Sequence, residues 1–443
     1  MSNVNASAGS GQINELTVFS NYGGKDLNVA NSTIELNYYE SILDPTVRSS
    51  LTFVDTGYRE DEEEGTATNE KDDVNLTSGE KVHMRIVDGF GTELVFTDDK
   101  QLRINGDPSA SSEAVNKIVY SVNTYSKESI DVKVADNWVY GRYDGKITDS
   151  VESILRNCLK TPKNLIIDPG LNPYNFLGHA EKPFYLCTLL AKKCVPDVPG
   201  APGKLAGYLF YETYDGLNFR SIDMLFMQEP KRRYVYDQTV GKTPEEYDGK
   251  ILTYSFKAST SLDSTITSGA LSSMREQKFN RMANDYNEGS LPSTISYLGF
   301  NNGGVARAEI ASDLGLQGKV TRNVNSRMSD DGILPAGRSL SQQIPKSQKP
   351  NFNMEEIVRQ SAMRYNQLYS NKMSITIVGD FTLRAGDLIY CDFPEVSSKS
   401  NKVVSQKAGG IYMIADLCHR ITKDNCYTKL NLVRDSIYRK PFK

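Results

Sequence analysis

Nothing in this 443-residue chain carries a catalytic motif. There is no GxxxxGK followed by Ser or Thr, and no GxGxxG after a strand-like run, so nucleotide chemistry is unsupported. A Ser or Cys nucleophile needs a histidine base, and only His83, His179 and His419 exist. None accompanies a GxSxG or a catalytic cysteine signature. His83 alternates within a strand-like run, His179 sits in the loop NFLGHAEKP, and His419 adjoins Cys418, so each reads as a packed or surface histidine. Cys158, Cys187, Cys194, Cys391, Cys418 and Cys426 form no CxxC pair, which speaks against zinc and for reduced, buried thiols. No apolar run reaches the length of a membrane-spanning segment, and the opening MSNVNASAGSGQ lacks an h-region and reads as a small flexible arm. No catalytic residue, cofactor or metal ligand is assigned.

Excess positive charge is missing too. The net charge is −4, so a basic face gripping nucleic acid is not expected. The short cluster Lys231-Arg232-Arg233 reads as a rim contact to a partner. The run from Glu60 to Asp73, EDEEEGTATNEKDD, has no apolar anchor and lacks calcium-loop spacing, so it reads as a solvated loop. Carboxylates are plentiful, but no spacing marks a glycosidase pair. The Asn-x-Ser/Thr triplets at Asn5, Asn31 and Asn75 carry no meaning without a secretory route.

What the chain does have is period-two patterning at both ends. Ile34, Leu36 and Tyr38 alternate with Glu35 and Asn37, and Val82, Met84 and Ile86 with His83 and Arg85. Residues 13–124 therefore read as antiparallel strands. Near residue 125 the period changes. Thr148 or Asp149 is placed to cap a helix whose apolar face is Val151, Ile154, Leu155, Cys158 and Leu159, ended by Pro162. Pro183 opens a second helix, Phe184 to Cys194. The run Val195 to Lys204, VPDVPGAPGK, is the clearest linker. A hairpin follows, Tyr208–Thr213 returning as Phe219–Asp223, and Tyr254 to Phe256 suits a further strand. Residues 263–351 are rich in Ser, Gly, Asn and Arg with weak periodicity and read as a loop-rich insertion. A helix from Met354 to Tyr369 shows a stripe at Ile357, Val358, Ala362, Tyr365 and either Leu368 or Tyr369, and strands follow at 373–378, 387–393, 411–416 and 426–433.

The expected fold is β-rich α+β: two similar antiparallel β-barrels, a small α+β domain between them, and a loop-rich insertion. The boundaries read as 1–12 arm, 13–124 first barrel, 125–206 α+β domain with linker, 207–262 with 352–443 second barrel, and 263–351 insertion. The second barrel is drawn from both sides of the insertion because 207–262 alone has too few strands for a stable sheet.

Three stretches carry a resemblance. NELTVFSNYGGKDLNVANSTIELNYYESILDPTVRSSLTFVDTG resembles the opening of the baseplate hub proteins of contractile-tailed bacteriophages. YLFYETYDGLNFRSIDML resembles a hairpin of their second β-module, and TIVGDFTLRAGDLIYCDFPE resembles the strand connection that finishes it. Related spike proteins of type VI secretion systems use the same module. The resemblance implies two tube domains per subunit in a homotrimer. Six similar domains would then surround a channel, joining a six-fold tail tube protein to a three-fold central spike protein. It also implies tape measure and baseplate wedge proteins as further neighbours, phage DNA passing without specific binding, and a place in the virion after assembly in the host cytoplasm. A tail-tip cell-wall hydrolase and a host-binding carbohydrate adhesin are the alternatives, the latter suggested by tyrosine-rich strands.

Overall fold

The computed structural model describes residues 11–21, 26–55, 78–106, 108–114, 117–134, 137–197, 206–237, 244–257, 305–309, 319–323, 357, 361, 365, 368–369, 371–393, 408–423 and 425–434. The acidic run Glu60–Asp73, most of the linker Val195–Lys204 and most of the 263–351 insertion lie outside them.

The N-terminal strands are β1 (Gln12–Phe19), β2 (Leu27–Asn28), β3 (Thr33–Ser41), β4 (Arg48–Asp55), β5 (Lys81–Val87), β6 (Glu93–Phe96), β7 (Leu102–Ile104), β8 (Ser109–Ala114) and β9 (Lys117–Ser126). The alternation read from sequence is what folds them. β5 buries Val82, Met84 and Ile86 and turns Arg85 to solvent, while β3 buries Leu36, Tyr38 and Glu40. Each fully buried Leu or Ile stabilises by about 2 kcal/mol. The strands pair in the order β1-β5-β7-β9-β4-β3. β2, which precedes β3 in the chain, pairs with β1 by Thr17↔Asn28 and Val18↔Leu27.

The middle of the chain holds α1 (Lys127–Val134), β10 (Arg142–Tyr143), α2 (Ile147–Ser153, continued by a π turn over Ile154–Cys158), β11 (Leu165–Ile167), β12 (Phe176–Leu177), α3 (Pro183–Ala191), β13 (Tyr208–Thr213), β14 (Gly216–Ser221) and α4 (Ile222–Met227). Two expectations change here. The first helix is entered from Lys146, which supplies no side-chain cap, so Thr148 and Asp149 lie in its first turn. Asp149 still favours that end through the helix dipole. The second change concerns the hairpin assigned to the second barrel. β14 pairs in parallel with β11, and β11, β14 and β13 make a separate three-stranded sheet. Every residue of β13 is buried, because one face meets the α2–α3 core and the other meets the apolar group of Ile222, Leu225 and Leu388.

The remaining strands are β15 (Arg232–Tyr236), β16 (Lys250–Ile251), β17 (Thr253–Lys257), β18 (Val305–Glu309), β19 (Lys319–Asn323), β20 (Asn371–Val378), β21 (Leu388–Asp392), β22 (Gly410–Thr422) and β23 (Cys426–Arg434). β18 and β19 form their own two-stranded sheet. Before β20, Ile357, Ser361, Tyr365 and Leu368 are helical and turn one face inward, at the expected spacing. The others pair in the order β15-β21-β22-β23-β20-β17, and β16, which precedes β17 in the chain, pairs with β15. This is the N-terminal order repeated, but β15 runs parallel to both neighbours, where β1 is antiparallel to both of its own, and among the described residues β21 carries no counterpart of β6, which pairs with β5.

The two halves are one sheet. β22 continues past the expected end at residue 416, and its last residues pair antiparallel with β3, from Asp416↔Ser41 to Thr422↔Glu35. One apolar core runs through both halves, from Leu16 to Leu432. The structure is thus β-rich with few helices, as expected.

Candidate interface at the seam between the sheet halves

The seam between β3 and β22 has an inner and an outer side because strand residues alternate. Inside, Tyr38 lies opposite His419 and their rings stack at 6.0 Å. His419 Nδ1 is 2.8 Å from Thr428 Oγ1, and burial pushes its pKa down to about 3, so it is a neutral packed group. The next inward residue of β3 is Glu40, a buried carboxylate that binds three parts of the chain. Its Oε1 accepts from Tyr38 Oη at 2.8 Å and from the Tyr214 amide at 2.7 Å, in the turn of the β13–β14 hairpin. Its Oε2 accepts from the Ala385 amide at 2.9 Å, between β20 and β21. Burial pushes this carboxyl up to about 7, partly offset by the nearby Arg384 guanidinium and the backbone donors.

Two further buried carboxylates work the same way. Asp88 Oδ2, in the turn after β5, accepts from the Phe381 amide at 2.9 Å and so ties the N-terminal half to the β20–β21 connection. Glu212 on β13 accepts from the Val47 amide at 3.0 Å. It also meets Lys163 at 2.5 Å, and Lys163 meets Glu128 at 2.6 Å. Burial opposes the charge on Lys163, but its two carboxylates outweigh this and hold its pKa above the ordinary value. Burial likewise raises Glu212.

The outer side of the seam is polar. Glu35, Asn37 and Tyr39 of β3, Asp416, Cys418 and Arg420 of β22, and Lys429 and Asn431 of β23 line an open depression of about 490 Å³. Its charges are balanced and joined. Arg420 binds Glu35 at 2.8 Å, Ser41 donates to Asp416 at 2.6 Å, and Asn431 donates to Asp416 at 3.2 Å. Such a face offers a polyanion no concentrated positive charge.

Lys231-Arg232-Arg233, expected to meet a partner, is satisfied within the chain. Lys231 binds Asp387 at 2.9 Å, Arg232 binds Asp380 and Asp248, and Arg233 binds Asp392. Asp380, Asp387 and Asp392 come from around β21, 148 to 159 residues on, which is why the sequence hid them. His83 lies between Glu15 and Asp98, and His179 adopts a left-handed backbone with φ 50°. All six cysteines are free thiols. Among the described residues no group of three or more His, Cys, Asp or Glu side chains is placed to hold a metal, and no helix is long and apolar enough to cross a membrane.

No known protein family matches the chain in sequence, and no curated protein does either. Its structure is similar to that of a 43 kDa tail protein of prophage MuSo2 from Shewanella oneidensis, with 11% identity and a TM-score of 0.48 over 96% of this chain and 100% of that one. A tail protein from Neisseria meningitidis matches at 11% identity and a TM-score of 0.47, over 96% of this chain and 98% of that one. A component of the type VI secretion system of E. coli matches at 8% identity and a TM-score of 0.43, over 98% and 79%.

Proposed function

We propose that this chain is the structural hub of a phage tail baseplate, with its two sheet halves as two tube domains. One observation carries the reading: the strand order β1-β5-β7-β9-β4-β3 recurs as β15-β21-β22-β23-β20-β17 within one chain, and the two copies lie edge to edge. A subunit with two like modules lets three copies present six similar units around an axis, so a three-fold assembly can mate with a six-fold one. The hub would join the tail tube protein above to the central spike protein below, with tape measure and wedge proteins as neighbours. The charge-balanced outer face of the sheet would line the channel and let DNA pass without holding it. The work is mechanical; no residue is assigned a catalytic role. The place of action is the tail of the virion, after assembly in the host cytoplasm. The domain boundaries read from sequence stand as part of this proposal, with the β13–β14 hairpin moved to the central α+β unit.

Light scattering on the purified chain, alone and with the tail tube protein, tests the reading. A particle of three times 49.4 kDa with a ring-shaped negative-stain average is expected. A chain that stays monomeric even with the tube protein present overturns it.

A further inference from the structure

The repeat leaves two strand edges unused whose counterparts are paired. β3 corresponds to β17, since β3 pairs with β4 as β17 pairs with β20, and each follows a short strand that pairs with the first strand of its half. The other edge of β3 is taken by β22. The other edge of β17 carries no strand among the described residues, and Thr253, Tyr254 and Ser255 are exposed there.

β22 corresponds to β7 and β8 taken in succession. Along one edge β22 gives Gly410–Met413 to β21 and Asp416–Thr422 to β3, while β23 takes the opposite edge. β7 pairs with β5, as the start of β22 pairs with β21. β7 and β8 both pair with β9, as β22 pairs with β23. What β8 lacks, among the described residues, is a strand where β22 receives β3. Ser109, Ala110 and Ser111 are exposed there.

One edge of each kind is therefore used inside the chain, and one of each is left over. We infer that β8 of one copy pairs antiparallel with β17 of a second copy, repeating between subunits the β3–β22 seam. This rests on the hub reading and names the contact that would build the ring. The two edges differ, so the contact is head-to-tail; a 120° turn closes it with three copies and leaves neither of these two edges open. An open edge is an aggregation hazard that such pairing removes. The exposed residues suit close approach, since Ser109, Ala110, Ser111, Thr253 and Ser255 are small and only Tyr254 among them is large. β17 has five residues, so the contact is shorter than the internal seam.

Ser111→Cys and Ser255→Cys, combined in one chain, test this. A short bis-maleimide tolerates a slip of register by a residue. Tyr39→Cys, opposite the native Cys418, is the control for linkage at the internal seam. Copies carrying 14N are mixed with copies carrying 15N, so that mass spectrometry separates links between chains from links within one. A covalent trimer in the double variant only, with residues 111 and 255 joined across chains, is expected. A particle that is trimeric by light scattering but never joins these two residues overturns the inference and leaves the hub reading standing. A chain that never trimerises, even with tube protein, removes both.

Discussion

Glu40 is the residue at which the pH dependence of this fold can be isolated. Its carboxyl is 2% exposed and titrates near 7 in the folded chain, against 4.5 for the free side chain. A raised folded pKa means that the folded state prefers the protonated form. The stability from this group is therefore full below pH 4.5, is lost as pH rises through 7, and is constant above. The loss is roughly 3 kcal/mol across that window. His419, stacked on the same Tyr38, acts with the opposite sign. Its folded pKa is lowered from 6.5 to about 3, so its contribution is full above 6.5 and falls as pH drops. The two would partly cancel in the wild-type curve. Glu40→Gln separates them, because His419 is common to both proteins. The glutamine oxygen can keep the bonds from Tyr38 and Tyr214, while its NH2 faces the Ala385 amide and loses one bond, costing about 1–3 kcal/mol at low pH. Urea unfolding of both proteins at pH 4.5, 5.5, 6.5, 7.5 and 8.5 measures the difference. The wild-type advantage should shrink by roughly 3 kcal/mol from the lowest to the highest pH, and the variant should match or exceed the wild type above pH 7.5. Parallel curves would refute the claim that burial governs this carboxyl.

Lys163→Met should cost about 3–5 kcal/mol, because Glu128 and Glu212 then stay buried without their cation; thermal melts of the intact chain would show it. Leu430→Asp or Leu432→Asp puts a charge where the native side chains are 0% and 1% exposed, and neither variant should fold or assemble, as circular dichroism and light scattering would report. Arg420→Ala removes an ion pair whose arginine is 54% exposed, and should change stability by less than about 1 kcal/mol in a denaturant titration. Gly386→Ala meets two obstacles, a φ of 91° and the Tyr211 hydroxyl where the methyl would sit, so its melting temperature should fall clearly.

The strands legible in the sequence were those with one wet face and one dry face. KVHMRIV and NKMSITIV alternate cleanly, and both are strands. β22 was cut short because its inward positions after Ala415 are Leu417, His419 and Ile421, and a histidine reads as polar although it is wholly buried here. The β13–β14 hairpin was found but given the wrong sheet. Both faces of β13 are buried, so its apolar run says nothing about which neighbour it chooses. Glu40 escaped notice altogether. A carboxylate in a strand looks like a solvent-facing residue, and only the return of Tyr214 and Ala385 from far along the chain makes it internal. The one usable hint was parity: Glu40 continues the inward series Leu36, Tyr38.

These buried carboxylates also bear on symmetry. If the contact between subunits repeats the β3–β22 seam, alternate seams of the ring differ in one respect. The internal seam is held by Glu40 reaching the hairpin turn and the β20–β21 connection, and by Asp88 reaching Phe381. Among the described residues β17, which ends at Lys257, offers no counterpart of Glu40, and the connection that would receive it, between β4 and β5, lies mostly outside them. Strand pairing would then supply six like contacts, while the side-chain locks would occur at three. A ring with six similar edges and three locked seams has the symmetry a joint needs when one neighbour is six-fold and the other three-fold. The locks, and not the strands, would set the three-fold.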